Sequence, residues 1–193
     1  MHFNGYPLKG IWDIGWAMDL HTLYSRYWES DDVFETQRTE LGQALYLMKY
    51  KNDYEKLPDV VDWVSQFIID KKLSEVADVL LPVPASRNRF RQPVYVIARR
   101  VGAKLDLQID DNYLMKVKET PPLKNIDNIE ERKVLLKNAF DIPDTRYEGK
   151  NVLLFDDLFR SGTTLTEITK LLREKGGVRK ILVLTLTKTR SKK

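Results

Sequence analysis

Two adjacent carboxylates, Asp156 and Asp157, stand directly after an apolar run and a few residues before a cluster of hydroxyl side chains. Ionised carboxylates accept hydrogen bonds, so this pair is suited to hold the neighbouring hydroxyls of a ribose and predicts the catalytic centre. The residues that follow offer a cation, hydroxyl donors and a glycine at which a phosphate can approach the backbone: Arg160, Ser161, Gly162, Thr163 and Thr164. The segment from Val152 to Leu165 therefore predicts a sugar-phosphate site.

The elements on either side of this segment bring its groups together. Asn151–Phe155 predicts a buried strand, and Thr163–Lys175 predicts a helix with one apolar face. The first turn of a helix leaves backbone N–H groups unpaired, and the helix dipole favours an anion there. The alternative is a simple helix cap beside a solvated acidic pair, because Ser and Thr are common cap residues. One glycine and no Gly-Lys-Ser/Thr sequence exclude a Rossmann fingerprint and a P-loop.

Alternating strand and helix patterns extend along the chain. Val76–Val83 and Lys180–Thr187 predict two further buried strands, and Pro93–Lys104 predicts a helix. This order is typical of an α/β fold with a central parallel sheet flanked by helices, where ligands bind at the carboxyl ends of the strands. We expect that core over residues 76–193 and a small N-terminal hood, or cap, over residues 1–75.

Shorter patterns complete the prediction. Within the hood, Ile11–Leu20 predicts a strand, Thr39–Tyr50 predicts a helix, and Pro58 opens a second helix. Within the core, Leu105–Ile109 and Tyr113–Val117 predict strands.

A basic segment follows the predicted strand Val76–Val83. No acidic residue occurs between Val79 and Leu105, and the segment offers anion-binding groups at Ser86, Arg87 and Arg89. The planar guanidinium group binds phosphate through paired, charge-assisted hydrogen bonds, so these residues predict a second phosphate-binding site, which for a sugar pyrophosphate would hold the pyrophosphate end. A solvated basic face and a patch that meets nucleic acid stay open as alternatives.

A second polar segment predicts a loop that closes over the ligand. Lys124 and Arg132 lie in or near a proline-bearing stretch, from which their cations could reach a bound anion.

The composition limits the other function classes. The 193 residues include no cysteine and two histidines, which excludes disulfides, thiolate nucleophiles and zinc ribbons. No apolar run approaches the roughly 20 residues that span a bilayer, and the first residues lack a secretory pattern. We expect a cytoplasmic protein without membrane contact. A net charge of +4 does not by itself indicate nucleic-acid binding.

The segment Val152–Leu165 resembles the phosphoribosyl-pyrophosphate motif of the type I phosphoribosyltransferases. That motif has a hydrophobic strand, an acidic pair and a loop of the form Thr/Ser-Gly-x-Thr. The resemblance implies that Asp156 and Asp157 hold the ribose hydroxyls while residues 160–164 hold the 5-phosphate. Arg160 stands at a position where many members carry threonine or another polar residue.

The resemblance extends to the ComF-like (competence protein F-like) branch of that family. Leu47–Asp53 is similar to its Leu-Lys-Tyr-Lys-Gly-Asp stretch, and Leu81–Arg87 is similar to its Pro-Val-Pro loop with basic residues. Its threonine-rich mobile segment is matched by Thr120–Pro122, Glu131–Arg132 and Ala139–Phe140. The chain departs from the branch where Leu123 replaces glutamine and Leu135 replaces asparagine, and it lacks the cysteine-rich zinc finger and the Gly-Phe-Asn-Gln stretch.

The resemblance implies an enzyme that transfers a phosphoribosyl group from 5-phosphoribosyl-1-pyrophosphate to a small-molecule acceptor, a nucleobase or an amine. Mg²⁺ would be the cofactor, bound mainly through the substrate and without dedicated protein ligands. The alternative is a non-catalytic regulator that binds phosphoribosyl pyrophosphate, or an accessory protein of competence and DNA uptake. A nucleic-acid or protein partner at the basic segments and a homo-oligomeric state are further expectations.

Overall fold

The centre of the protein is a sheet of five strands in the spatial order β1-β2-β9-β8-β5. The computed structural model describes residues 2–28, 33–85, 91–120, 126 and 128–190. The sheet comprises β1 (Tyr6–Pro7), β2 (Ile14–Leu20), β5 (Val79–Pro82), β8 (Asn151–Phe159) and β9 (Lys180–Lys188). Strands β2, β9, β8 and β5 run parallel, and only the edge strand β1 is antiparallel to its neighbour.

Among the described residues, six helices and two small two-stranded sheets surround this sheet. The helices are α1 (Glu40–Lys51), α2 (Leu57–Asp70), α3 (Leu73–Val76), α4 (Pro93–Leu105), α5 (Ile129–Leu136) and α6 (Thr163–Glu174). One small sheet pairs β3 (Thr22–Trp28) with β4 (Val33–Arg38), and the other pairs β6 (Met115–Lys116) with β7 (Phe140–Asp141). Within the described ranges, no helix combines the length and the apolar character needed to cross a bilayer.

Both faces of the sheet are buried. Along β8, Leu153 and Phe155 join the core formed with α1, α2 and α4, while Val152 and Leu154 join the core formed with α5 and α6. This division follows from the period of two residues in a strand, and a strand buried on both faces is continuously apolar. The predicted α/β fold with a central parallel sheet flanked by helices is confirmed.

Most of the predicted elements are present, with shifts at their ends. The strand predicted at Asn151–Phe155 continues to Phe159, because β9 supplies ladder partners as far as Lys188. The strand predicted at Leu105–Ile109 is wrong, since Leu105 ends α4 and only Ile109 forms an isolated bridge with Leu80. The strand predicted at Tyr113–Val117 shortens to β6. The β3–β4 hairpin and α5 were not predicted.

The predicted hood, residues 1–75, shares the sheet and the core with the rest of the chain. Strand β2 pairs in parallel with β9, and its Ala17 and Met18 are fully buried. Helices α1 and α2 pack in the same core as Leu153 and Phe155 of β8. The sheet therefore includes strands from both sides of residue 75, because β2 from the N-terminal third pairs with the edge of β9.

Helix α1 is fixed closely to the carboxyl end of β2. The Thr39 side chain accepts a hydrogen bond from Gly42 N at 3.0 Å and donates one to Leu20 O at 2.6 Å. A Cβ at Gly42 would lie 2.2 Å from the His21 carbonyl oxygen, so only glycine permits this approach. The start of α1 is thus set by contacts with backbone atoms.

We expect Gly42→Ala to destabilise the protein by about 1–3 kcal/mol, the usual cost of overpacking a core. In an exposed helix the same change stabilises by about 1 kcal/mol, so the sign of the effect identifies the contact with His21. Urea denaturation measures it, with Gln43→Ala on the exposed side of α1 as a nearly neutral control. A stabilised Gly42→Ala variant would show that α1 is not held against β2.

Candidate functional site

A cavity of about 260 Å³ opens beside the carboxyl ends of β5 and β8. It is lined by Asp156, Asp157 and the whole of residues 160–164, which we call the hydroxyl loop. The opposite and lateral walls come from several elements and include polar residues at Lys49, Gln92, Lys116, Thr120 and Arg132. The predicted sugar-phosphate residues therefore share one cavity.

The hydroxyl loop makes a tight connection from β8 into α6. Only Arg160, Ser161 and Gly162 separate the strand from the helix. Gly162 has φ +75° and caps α6, accepting a hydrogen bond from Thr166 N at 2.8 Å. A Cβ on Gly162 would lie 2.9 Å from the Phe159 ring, so the left-handed backbone and the close contact both favour glycine. The first turn of α6 therefore presents its N–H groups at the cavity wall.

Hydroxyl groups and a buried guanidinium lie together at this loop. Ser161 Oγ and Thr163 Oγ1 are 2.9 Å apart, and Arg132 Nη1 donates to Ser161 Oγ at 2.9 Å. Arg132 is only 4% exposed and is held by a second hydrogen bond, from its Nε to Ile126 O at 2.6 Å. Because α6 directs the positive end of its dipole to the same place, the loop is suited to bind an anion.

The two carboxylates have different surroundings. Asp157 Oδ2 lies 2.6 Å from Lys49 Nζ, and both side chains are mostly buried, with 19% and 14% exposed. Asp156 Oδ1 accepts the Asp157 N–H at 2.8 Å. Adjacent residues in a strand point to opposite faces, so Asp157 meets α1 while Asp156 lies on the face that packs against α6.

Burial and the neighbouring Asp157 carboxylate raise the pKa of Asp156 from 3.8 to about 7. The Asp157 N–H and the Lys49 ammonium oppose this rise, because each stabilises the ionised form. At neutral pH the pair therefore stands close to a change of protonation.

A histidine supports the Asp157 backbone. Thr187 Oγ1 donates to Asp157 O at 3.0 Å and lies 3.2 Å from His21 Nδ1. Since the Thr187 hydroxyl has a single hydrogen, His21 Nδ1 must carry a hydrogen and donate to it. Burial, with the cations Lys49 and Arg38, lowers the pKa of His21 to about 4, so the ring is neutral at neutral pH.

Part of the predicted site lies outside the described residues. Ser86, Arg87 and Arg89, predicted to bind pyrophosphate, belong to this part, and so does Lys124 of the predicted closing loop. The chain on both sides of the basic segment reaches the cavity, where Ala85 and Gln92 contribute to the wall. The roles proposed for Ser86, Arg87, Arg89 and Lys124 stay predictions.

Arg132 lies on a helix, α5, and not on the predicted loop. The Asn128 side chain accepts hydrogen bonds from Glu130 N and Glu131 N, which caps α5. Asparagine followed three residues later by glutamate resembles a capping box, a signal that could have predicted this helix. Arg132 therefore reaches the hydroxyl loop from a fixed position.

Sequence reasoning assigned no role to several other polar residues of the cavity wall. Lys49 stands in the Leu47–Asp53 stretch, which was recognised only as a resemblance. Lys116 Nζ donates to Thr120 Oγ1 at 2.7 Å, and burial lowers the pKa of Lys116 while the nearby Glu119 raises it. These side chains meet the site through tertiary packing, which local patterns do not reveal.

The raised pKa of Asp156 makes a pH-dependent contribution to stability. The folded state holds this proton more tightly than the unfolded chain, so the contribution becomes unfavourable as the pH rises from 3.8 towards about 7. We therefore expect Asp156→Asn to stabilise the protein more at pH 8 than at pH 5. Urea denaturation of both proteins at the two pH values measures this difference. Equal effects at both pH values would contradict a raised pKa.

The chain is similar to a curated protein over part of its length and to several solved structures. No family model matches the chain. Competence protein F of Haemophilus influenzae is 31% identical over 108 residues, which cover 53% of this chain. The chain matches 47% of that protein, about half the length of this curated relative.

Solved structures with similar folds include two purine phosphoribosyltransferases. An adenine phosphoribosyltransferase from Saccharomyces cerevisiae is 10% identical with a TM-score of 0.48, covering 84% of this chain and 83% of that one. A hypoxanthine phosphoribosyltransferase from Staphylococcus aureus is 18% identical with a TM-score of 0.44, covering 69% and 64%. Over these 108 residues the chain is similar to competence protein F, and its parallel sheet with the acidic motif agrees with the resemblance to the type I phosphoribosyltransferases.

Proposed function

We propose that the protein binds 5-phosphoribosyl-1-pyrophosphate and transfers its phosphoribosyl group to a nucleobase or an amine, releasing pyrophosphate. One observation carries this proposal. A single cavity brings two adjacent carboxylates, Asp156 and Asp157, together with the hydroxyl loop at the start of α6. These groups match the two ends of a ribose 5-phosphate, whose diol donates hydrogen bonds and whose phosphate accepts them.

The hydroxyl loop is the proposed site of the 5-phosphate. Ser161, Thr163 and Thr164 can donate hydroxyl hydrogens, and the first turn of α6 supplies backbone N–H groups. Arg132 adds a buried positive charge that already touches Ser161. Because Gly162 has no side chain, a phosphate oxygen can approach the backbone here.

The acidic pair is the proposed site of the ribose hydroxyls. Hydrogen bonds to an ionised acceptor are shorter and stronger than those between neutral groups. The Lys49 ammonium lies 2.6 Å from Asp157 Oδ2 and makes a charge-assisted contact with it. Binding of the diol to Asp156 favours its ionised form, against the burial that raises its pKa.

Mg²⁺ is the proposed cofactor, bound mainly through the substrate. Asp156 and Asp157 already have protein partners, the Asp157 N–H and the Lys49 ammonium, which agrees with a metal ion carried by the ligand. Mg²⁺ prefers phosphate oxygens and keeps several waters, and it would neutralise charge on the pyrophosphate. The basic segment with Ser86, Arg87 and Arg89 is proposed to hold that end of the molecule.

The proposed reaction is a displacement at C1 of the ribose. The acceptor forms a bond to C1 as the bond from C1 to the pyrophosphate oxygen breaks, and the bonding electrons leave with pyrophosphate. Positive charge develops on the sugar ring close to the acidic pair. The protein would act by holding the ring and by stabilising charge, without a covalent nucleophile.

Calorimetric titration with phosphoribosyl pyrophosphate and Mg²⁺ tests the binding site. We expect wild type to bind, and Asp156→Asn and Asp157→Asn to bind about tenfold more weakly or worse, the loss of a charge-assisted hydrogen bond. Gly162→Val should abolish binding, because the side chain fills the phosphate position. Asp59→Asn, an exposed carboxylate on α2, is the control. Absence of wild-type binding at millimolar ligand, or variants that bind equally well, would reduce the motif to a helix cap.

Turnover distinguishes the enzyme from a regulator that only binds. We expect pyrophosphate release when wild type, ligand and Mg²⁺ are mixed with an accepted member of a panel of nucleobases and amines. Asp157→Asn should lower the rate of that release. Tight binding without release across the panel would favour the regulatory alternative.

A further inference from the structure

The N-terminal third contributes directly to the acidic pair of the site. Lys49 comes from α1 and His21 from the corner between β2 and β3, yet both lie at Asp157 of β8. Lys49 meets the Asp157 side chain, while His21 meets its carbonyl oxygen through Thr187. Asp157 is thus held at two points by residues far away in the sequence.

The position of Lys49 is set by packing. Helix α1 begins at the Thr39 cap, which is bonded to Leu20 O, and Gly42 lies against His21 O. The buried side chains Leu41, Leu45 and Met48 fix the rotation of the helix. As a result, Lys49 faces the cavity with only 14% of its side chain exposed, whereas Lys51 in the same helix turn is exposed to solvent.

We propose that Lys49 is a positioning residue of the phosphoribosyl site, whose ammonium holds and orients the Asp157 carboxylate for the ribose hydroxyls. This inference rests on the proposed function, which supplies the ribose hydroxyls as the ligand of the acidic pair. It assigns a role to α1 in a site whose acidic pair and hydroxyl loop come from β8 and the turn into α6.

The geometry favours this role over a direct contact between Lys49 and a phosphate. The ammonium is 2.6 Å from Asp157 Oδ2, the distance of a charge-assisted hydrogen bond. Moving the ammonium to a phosphate would leave the Asp157 carboxylate without that partner, and an unpaired buried charge is costly. The hydroxyl loop already has Arg132 beside it as its own buried cation.

The charged and titratable groups around Asp157 define the expected pH behaviour. The Lys49 ammonium contacts the Asp157 carboxylate from α1, and Asp156 precedes Asp157 on β8. Neutral His21 is linked to the Asp157 carbonyl oxygen through the Thr187 hydroxyl. The positive charge of Arg38 lowers the pKa of His21. Because Lys49 opposes the raised pKa of Asp156, loss of Lys49 must shift the titration of that carboxyl to higher pH.

The first experiment needs no ligand. Carbon-13 NMR of the side-chain carboxyls in wild type, Lys49→Met and Lys51→Met follows the titration of Asp156. We expect the Asp156 midpoint to rise in Lys49→Met and to stay unchanged in Lys51→Met. An unchanged midpoint in Lys49→Met would overturn the proposed electrostatic coupling.

The second experiment is calorimetric titration of the same proteins with ribose 5-phosphate and with Mg²⁺ and phosphoribosyl pyrophosphate. If Lys49 is a positioning residue, Lys49→Met should weaken the binding of both ligands about tenfold, because both carry the diol. This is the loss expected for one charge-assisted hydrogen bond. Lys49→Arg should restore part of the affinity. A loss confined to the pyrophosphorylated ligand would mean that Lys49 contacts pyrophosphate, which overturns the proposal.

A double-mutant cycle separates positioning from a general loss of structure. In the Asp157→Asn background, Lys49→Met should cost little further affinity, since the group that it positions has gone. Additive losses would overturn the positioning role. If wild type binds neither ligand, the proposed function fails as well, whereas normal wild-type binding with unaffected Lys49→Met removes only this inference.

Discussion

The alternation of side chains along a strand is the constraint on which this site depends. Asp156 and Asp157 are adjacent in β8, so they project to opposite faces of a sheet that is buried on both sides. The two carboxylates therefore have different surroundings and different partners. Asp157 finds the Lys49 ammonium from α1, whereas Asp156 accepts the Asp157 N–H. The cavity requires both layers to be in place.

The same constraint explains why much of the fold could be predicted and the arrangement of the site only in part. Strands β5, β8 and β9 are continuous apolar runs because both of their faces are buried, and this pattern is local. The acidic pair and the hydroxyl loop are separated by only two residues in the sequence, so they must also lie close together in space. Gly162 could be predicted for the same reason, as the residue where strand turns into helix.

Contacts between segments that are distant in the sequence could not be predicted from local patterns. Strand β2 was predicted as a strand, but nothing in its pattern shows that it pairs with the last strand, β9. Lys49 lies next to the buried face of α1, and its polarity alone resembles that of an exposed lysine such as Lys51. The end of β8 was placed too early at Phe155, because polar side chains suggest a strand end although the backbone ladder continues through Asp156 to Phe159.

The charges around the cavity explain how two carboxylates can share it with an anionic ligand. Four cations contribute to the lining, Lys49, Lys116, Arg132 and Arg160, against Asp156 and Asp157 among the described residues. Two of these cations serve different parts of the site, since Lys49 offsets the charge of Asp157 while Arg132 adds positive charge at the hydroxyl loop. Without Lys49, two adjacent carboxylates would repel each other and a phosphate nearby, and burial would favour protonation of Asp156. In the proposed complex, the N-terminal third would thus provide the cation that offsets the charge of the acidic pair beside the phosphate of the sugar.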